Sequence, residues 1–217
     1  MKSIIFSCLI PEILDGTKTQ TRRMVKFPPS VCRDWDIESA HDAYNAEMHI
    51  DKSACGFLVA GDMGYVDVKC PYGVPGDILY VKEAWKPDPA WGQSSVLTKK
   101  LLRGDNILYK ATLDTEHPKY TLGKWRSAIS MPEWASRIKI QIIDVRVEKL
   151  QDISDDDARA EGVKPPNLTG YKLIWNSINK PNDVCDPDNN PWKWTHDGAG
   201  CGWSNCPWVW VLSFKKV

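Results

Sequence analysis

The sequence predicts an α+β fold of about five to seven strands with two or three short helices. Three observations predict it. Short runs alternating apolar and polar residues recur along the chain, the longest over 138–150, which is the period of a half-buried strand. Two segments, 154–162 and 168–178, carry helix signals instead. Between these lie stretches rich in Pro, Gly, Asn and Asp, which read as turns and insertions.

Residues 3–9 read as a first strand, followed by a short helix that ends at Gly16, because only glycine enters the left-handed C′ position without steric cost. From Thr17 to Lys26 the chain sets Lys18, Gln20 and Arg22 against Thr17, Thr19 and Thr21, a strand with two unlike faces. The runs 56–60 and 64–69, separated by Gly61-Asp62-Met63, predict a hairpin. A turn-rich approach, Pro71-Tyr72-Gly73-Val74-Pro75-Gly76-Asp77, leads into a strand over 78–85, and 106–111 suits another. After the long strand, Ser154 can cap a helix and Asp157 can reach back to it as in a capping box, with Gly162 as the stop. Apolar residues at 168, 171, 174, 175 and 178 have helical spacing, and 207–214 reads as a buried closing strand. Insertions fall at about 27–55, 86–105 and 179–206, and no linker divides the 217 residues into two domains.

Twenty-eight basic residues balance 28 acidic ones, which excludes a broad polyanion-coating surface and leaves room for a local basic groove. No apolar run reaches membrane-spanning length, and the N-terminus does not read as a signal peptide. With seven cysteines at irregular spacings, the expectation is reduced thiols in a cytoplasm. Most of the 11 tryptophans are expected to be core and loop anchors, with some free to stack on bases.

The stretch Gly16-x-Lys18-x-x-Thr21-Arg22 resembles the signature of the ASCH family, a PUA-like group of small β-barrels linked to RNA. The runs 71–85, ending Glu83-x-Trp85, and Trp125-Arg126 through Met131-Pro132-x-Trp134-Ala135-Ser136-Arg137 resemble ASCH proteins encoded by phages and prophages. The resemblance implies a mixed β-barrel flanked by helices, with one pocket at a barrel edge. Its nearest functional members are bacterial N4-acetylcytidine amidohydrolases, in which a Lys, a Thr three residues on and a Glu late in a helix carry the chemistry. The segment Leu150-Gln151-Asp152-Ile153-Ser154-Asp155-Asp156-Asp157-Ala158-Arg159-Ala160-Glu161 fits the register of that helix without a gap.

Lys18, Thr21 and Glu161 are therefore the candidate catalytic residues, with no cofactor. Arg22, Arg23, Glu83, Trp85, Trp125 and Arg126 are the candidate substrate-binding residues, the two arginines as phosphate or ribose contacts or else as a salt bridge within the barrel. Thr21 can attack or orient a water if a base takes its proton. Lys18 is that base if burial lowers its pKa; if it pairs directly with Glu161 it is an electrostatic stabiliser and Glu161 carries the proton. On an ideal strand Lys18 and Thr21 face opposite ways, so a shared site predicts a bulge near residues 19–20. Glu83 is a possible second carboxylate, against the plainer role of a salt-bridged Glu. Cys185, His196, Cys201 and Cys206 form only a weak zinc pattern, with no Cys-x-x-Cys. Two functions follow: an amidohydrolase acting on a nucleoside or RNA with a modified cytosine, or a non-catalytic module that binds the same base.

Overall fold

The computed structural model of the protein describes residues 1–25, 50–51, 56–61, 64–88, 107–112, 124–164, 168–179 and 208–217. They form β1 (Lys2–Ile5), α1 (Ile10–Leu14), β2 (Gln20–Met24), β3 (Ile50–Asp51), β4 (Gly56–Gly61), β5 (Gly64–Lys69) and β6 (Ile78–Lys82). These are followed by β7 (Trp85–Pro87), β8 (Ile107–Tyr109), β9 (Lys139–Lys149), α2 (Asp155–Ala160), α3 (Leu168–Ile178) and β10 (Trp208–Lys216). The predicted α+β class holds. The predicted hairpin over 56–69 is the β4–β5 pair, and both predicted helices lie where their signals put them.

The main sheet has five strands in the order β1-β6-β9-β10-β2, antiparallel except for the β1–β6 pair. It is a mixed open sheet: among the described residues no ladder joins β1 to β2, so the expected closed barrel is not formed by hydrogen bonding there. The two edges still meet through a side chain, since Arg23 of β2 donates from Nη2 to the carbonyl of Ile5 in β1 at 2.6 Å. Smaller sheets pair β3-β4-β5 and β7-β8.

β10 is apolar on both faces because both are covered. Trp210, Leu212 and Phe214 join Ile4, Phe6, Leu79, Val81, Ile138, Ile140 and Ile142 in the larger core. Val209 and Val211 face the other way, onto Leu150, Ile153, Ala158, Tyr171 and Trp175 of the α2–α3 side. β2, the edge strand, therefore borders both cores: Val25 joins the first and Met24 packs on the second.

Three sequence expectations are corrected. The strand expected over 17–26 begins only at Gln20, and Lys18 sits in the extended approach to it. The sheet irregularity falls elsewhere: the β9–β10 register shifts between Ser213 and Phe214, leaving Ile143 as the extra residue, 54% exposed. The strand expected over 78–85 stops at Lys82, and Trp85 starts β7 in a different sheet. The residues between are turned out of line by side-chain demands: Glu83 is 1% exposed and held by a two-pronged ion pair from Arg137, Nε to Oε1 at 2.8 Å and Nη2 to Oε2 at 2.9 Å. The zinc candidates Cys185, His196, Cys201 and Cys206, and the insertion at 179–206 apart from Asn179, lie outside the described residues. Among the described residues no helix is long and apolar enough to cross a membrane.

Candidate active site

The α2 helix is built to place one carboxylate. Ser154 accepts from the Asp157 amide at 3.1 Å, and the Asp157 carboxylate accepts from the Ser154 amide at 3.4 Å, the reciprocal capping box. With the start fixed, the helix ends after Ala160 and Glu161 becomes its C-cap residue. Asp157 and Glu161 are four apart, so both lie on the face that meets β2.

The C-terminal end of α2 docks on the approach to β2. The Thr19 amide donates to the Ala160 carbonyl at 2.8 Å, and the Lys18 ammonium donates to the Glu161 carbonyl at 2.8 Å. A cation on the last carbonyls of a helix meets the negative end of its dipole. The same Nζ donates to Glu161 Oε2 at 2.6 Å, and the two side chains are 3% and 5% exposed. Gly162 permits this approach. Its φ of +79° is left-handed, and a Cβ there would lie 3.0 Å from the Cβ of Lys18 and 3.0 Å from the Cβ of Glu12.

Burial lowers the Lys18 pKa from its ordinary value, with Glu161 pulling it back up and Arg23 adding to the fall. The geometry is that of an ion pair, and Lys18 holds its proton less firmly than an exposed lysine does. As an ammonium it has three donors. Two are spent on Glu161.

Arg22 has a wholly buried side chain and is committed on every side. Nε donates to Glu148 Oε1 at 2.8 Å, Nη1 to Gln20 Oε1 at 2.7 Å and to Glu161 Oε1 at 3.4 Å, and Nη2 pairs with Asp157 Oδ2 at 3.1 Å. Arg146 closes the network through Glu148 and Asp157, each at 3.1 Å. Lys18, Arg22 and Arg146 thus stand against Glu148, Asp157 and Glu161, three cations to three carboxylates. Such balance is what buried charges require. Arg22 is thus held in salt bridges and positions Glu161.

One cleft collects Lys18, Thr21, Arg22, Arg23 and Glu161 in its polar lining. Opposite them stand Tyr171, Ile174, Trp175 and Ile178 from α3, with Phe6, Cys8 and Leu9 at the β1–α1 turn. Its volume of about 80 Å³ is several times the roughly 10–15 Å³ that one water needs. Thr21 is buried, and its hydroxyl makes no hydrogen bond among the described residues. Burial raises the Cys8 thiol above its ordinary pKa, outweighing Lys18, so it stays protonated and is no nucleophile. Burial, reinforced by Glu161, raises the Tyr171 phenol well above its usual range, so it remains neutral.

The structure therefore brings Lys18, Thr21, Glu161, Arg22 and Arg23 to one cleft and leaves four candidates out of it. Glu83 is paired with Arg137, whose guanidinium lies 4.1 Å over the Tyr109 ring. Trp85 packs edge-on against Trp134 and carries Arg126 over its ring at 5.0 Å, while Trp125 receives Lys86 at 4.5 Å. Trp85 and Trp134 belong to a separate core with Ile107, Tyr109, Met131 and Ala135, and none of these residues lines the cleft. The α3 aromatics and Gly162 were legible only as core and helix stop. The four-residue spacing of Tyr171 and Trp175, matching that of Asp157 and Glu161, is the signal that pairs those two faces. No protein-family model, curated protein or solved structure matches this chain, so the chemistry of the site rests on its own geometry.

Proposed function

We propose that the protein is an amidohydrolase that removes an acyl group from the exocyclic nitrogen of N4-acetylcytidine or a related acylated cytosine, on a PUA-like scaffold of the ASCH kind. The observation that carries the reading is a buried Lys18–Glu161 ion pair opening on the same cleft as the Thr21 hydroxyl, which has no hydrogen-bond partner among the described residues. The three residues are those that the resemblance names, and burial is what a reactive amine requires.

In this reading Thr21 orients a water toward the acyl carbon. The Lys18–Glu161 pair takes the water's proton, and the remaining Lys18 donor faces the oxyanion. The C–N bond then breaks, the pair returns the proton to the leaving nitrogen, and the products are a carboxylic acid and cytidine. The flat ring lies against the α3 wall, where Tyr171 and Trp175 offer apolar and aromatic surface.

The test is incubation of the pure protein with N4-acetylcytidine and detection of cytidine. Lys18→Ala and Glu161→Gln should each be silent. Absence of turnover across a panel of acylated cytidines and RNAs, with binding retained, would replace this reading by that of a binding module.

A further inference from the structure

We propose that the cleft takes its substrate as a phosphate ester, with Arg23 holding the phosphate. The identity of the base rests on the reading above; the phosphate rests on a separate observation, the charge that the site leaves over.

Every other cation around the cleft is neutralised by a carboxylate: Lys18 by Glu161, Arg22 by Glu148, Asp157 and Glu161, and Arg146 by Glu148 and Asp157. Arg23 faces no carboxylate among the described residues. Its Nη2 is tied to the Ile5 carbonyl at 2.6 Å, and its guanidinium lies 4.9 Å from the Phe6 ring centroid. Its Nε is buried and has no acceptor, and its Nη1 has none among the described residues. A guanidinium fixed by one hydrogen bond and one ring has lost its conformational freedom in advance, which favours binding of an oxyanion such as phosphate.

Position supports the same partner. Arg23 lies two residues beyond Thr21 on one face of β2, about 6.6 Å along the strand. The reacting amide belongs at Thr21, so Arg23 meets a part of the substrate set back from the chemistry. A neutral acylcytosine nucleoside offers it no counter-charge, whereas a phosphate on the ribose does. Arg22, its neighbour in sequence, is excluded because its side chain is wholly buried and committed.

The experiment is calorimetric titration of the intact chain with cytidine, cytidine 5′-monophosphate, a short cytosine-containing single-stranded RNA and inorganic phosphate. Wild type should bind the monophosphate or the RNA about tenfold or more tighter than cytidine, as expected for a charged hydrogen bond. Arg23→Gln should bring that ratio close to one, and Arg23→Lys should keep part of it. Should Arg23→Gln fail to fold, the wild-type ratio and Arg23→Lys still decide. Preference for the monophosphate assigns a terminal phosphate, and preference for the RNA assigns a phosphodiester. Equal binding of cytidine and its phosphorylated forms by wild type, or a preference that survives in Arg23→Gln, overturns the proposal. Binding of inorganic phosphate that is lost in Arg23→Gln, with no cytosine ligand bound better than phosphate, would keep the phosphate site and discard the base.

Discussion

Replacing Glu161 by Gln keeps shape and removes one charge from the middle of the network. Two cations lose their counter-ion, Lys18 at 2.6 Å and Arg22 at 3.4 Å. At an effective dielectric of about 20 these attractions are worth roughly 6 and 5 kcal/mol before desolvation is subtracted. Removing one partner of a buried pair costs about 3–5 kcal/mol net. Arg22 retains Glu148 and Asp157, so most of the loss falls on Lys18. For a chain of this size the melting point should drop by about 6–20 °C.

The pH dependence separates this cause from a packing defect. Without Glu161, burial and Arg23 push the Lys18 pKa below its already lowered value. The folded variant then binds its proton less tightly than the unfolded chain, so its stability rises with pH. The deficit of Glu161→Gln against wild type should therefore be largest near pH 6 and shrink toward pH 9. Urea unfolding at the two pH values, with Lys18→Met and the double variant, completes the cycle. The coupling between positions 18 and 161 should exceed about 1 kcal/mol. A deficit under about 1 kcal/mol at pH 6, or one that is flat with pH, would refute the buried ion pair as the organiser of the site.

Gly162→Ala combines a left-handed φ with a Cβ driven against the stems of Lys18 and Glu12, so it should cost about 2–4 kcal/mol by chemical denaturation. Gly16→Ala, with φ of +82° and nothing within 4 Å, should cost only the backbone share of about 1–2 kcal/mol. Thr21→Val removes a hydroxyl with no hydrogen-bond partner among the described residues, so unfolding should shift by less than about 1 kcal/mol while turnover of N4-acetylcytidine falls by about a hundredfold or more. Burial raises the Asp157 carboxyl pKa, but Arg22, the Ser154 cap and Arg146 outweigh it and hold it below the ordinary value. Its stabilisation is thus full above about pH 4 and is lost as pH falls through the lowered folded value. Asp157→Asn should be less stable than wild type at pH 7 by about 1–3 kcal/mol, and acid titration of the melting point should bring the two together.

How much of this was legible in the sequence depends on whether a signal was local. The capping box at Ser154 and Asp157 and the stop at Gly162 are local, and they place Glu161 at the end of α2 with no knowledge of the fold. The long alternating run becomes β9 for the same reason. The Glu83–Ala84 break was not legible, because its cause is Arg137, 54 residues away. Alternation continued through Trp85 in the sequence, while in the structure Glu83 is held by Arg137 and Trp85 starts a strand of a second sheet, and neither lines the cleft. Barrel closure failed as an expectation because strand pairing is non-local. The edges meet through Arg23, and no ladder joins them among the described residues.

The demand for a bulge shows the physics best. Lys18 and Thr21 are three apart, and period-two reasoning sets them on opposite faces. The conflict disappears because the strand rule stops applying: residues 17–19 precede β2, and although the Thr19 carbonyl still accepts from Phe214 of β10, the amides of Lys18 and Thr19 donate elsewhere. The Lys18 amide donates to the Glu12 carbonyl and the Thr19 amide to the Ala160 carbonyl, both at 2.8 Å. Two helices, α1 and α2, thus supply the acceptors that a sheet neighbour would have supplied, and α2 carries Glu161 with it. The segment that aims the amine and the segment that brings the acid are joined by their own backbones, and a glycine next to the acid lets them close to contact distance. The pairing of Lys18 with Glu161 is accordingly a property of the docked main chain, so variants that disturb the α2 terminus should act on the site as strongly as variants of the side chains.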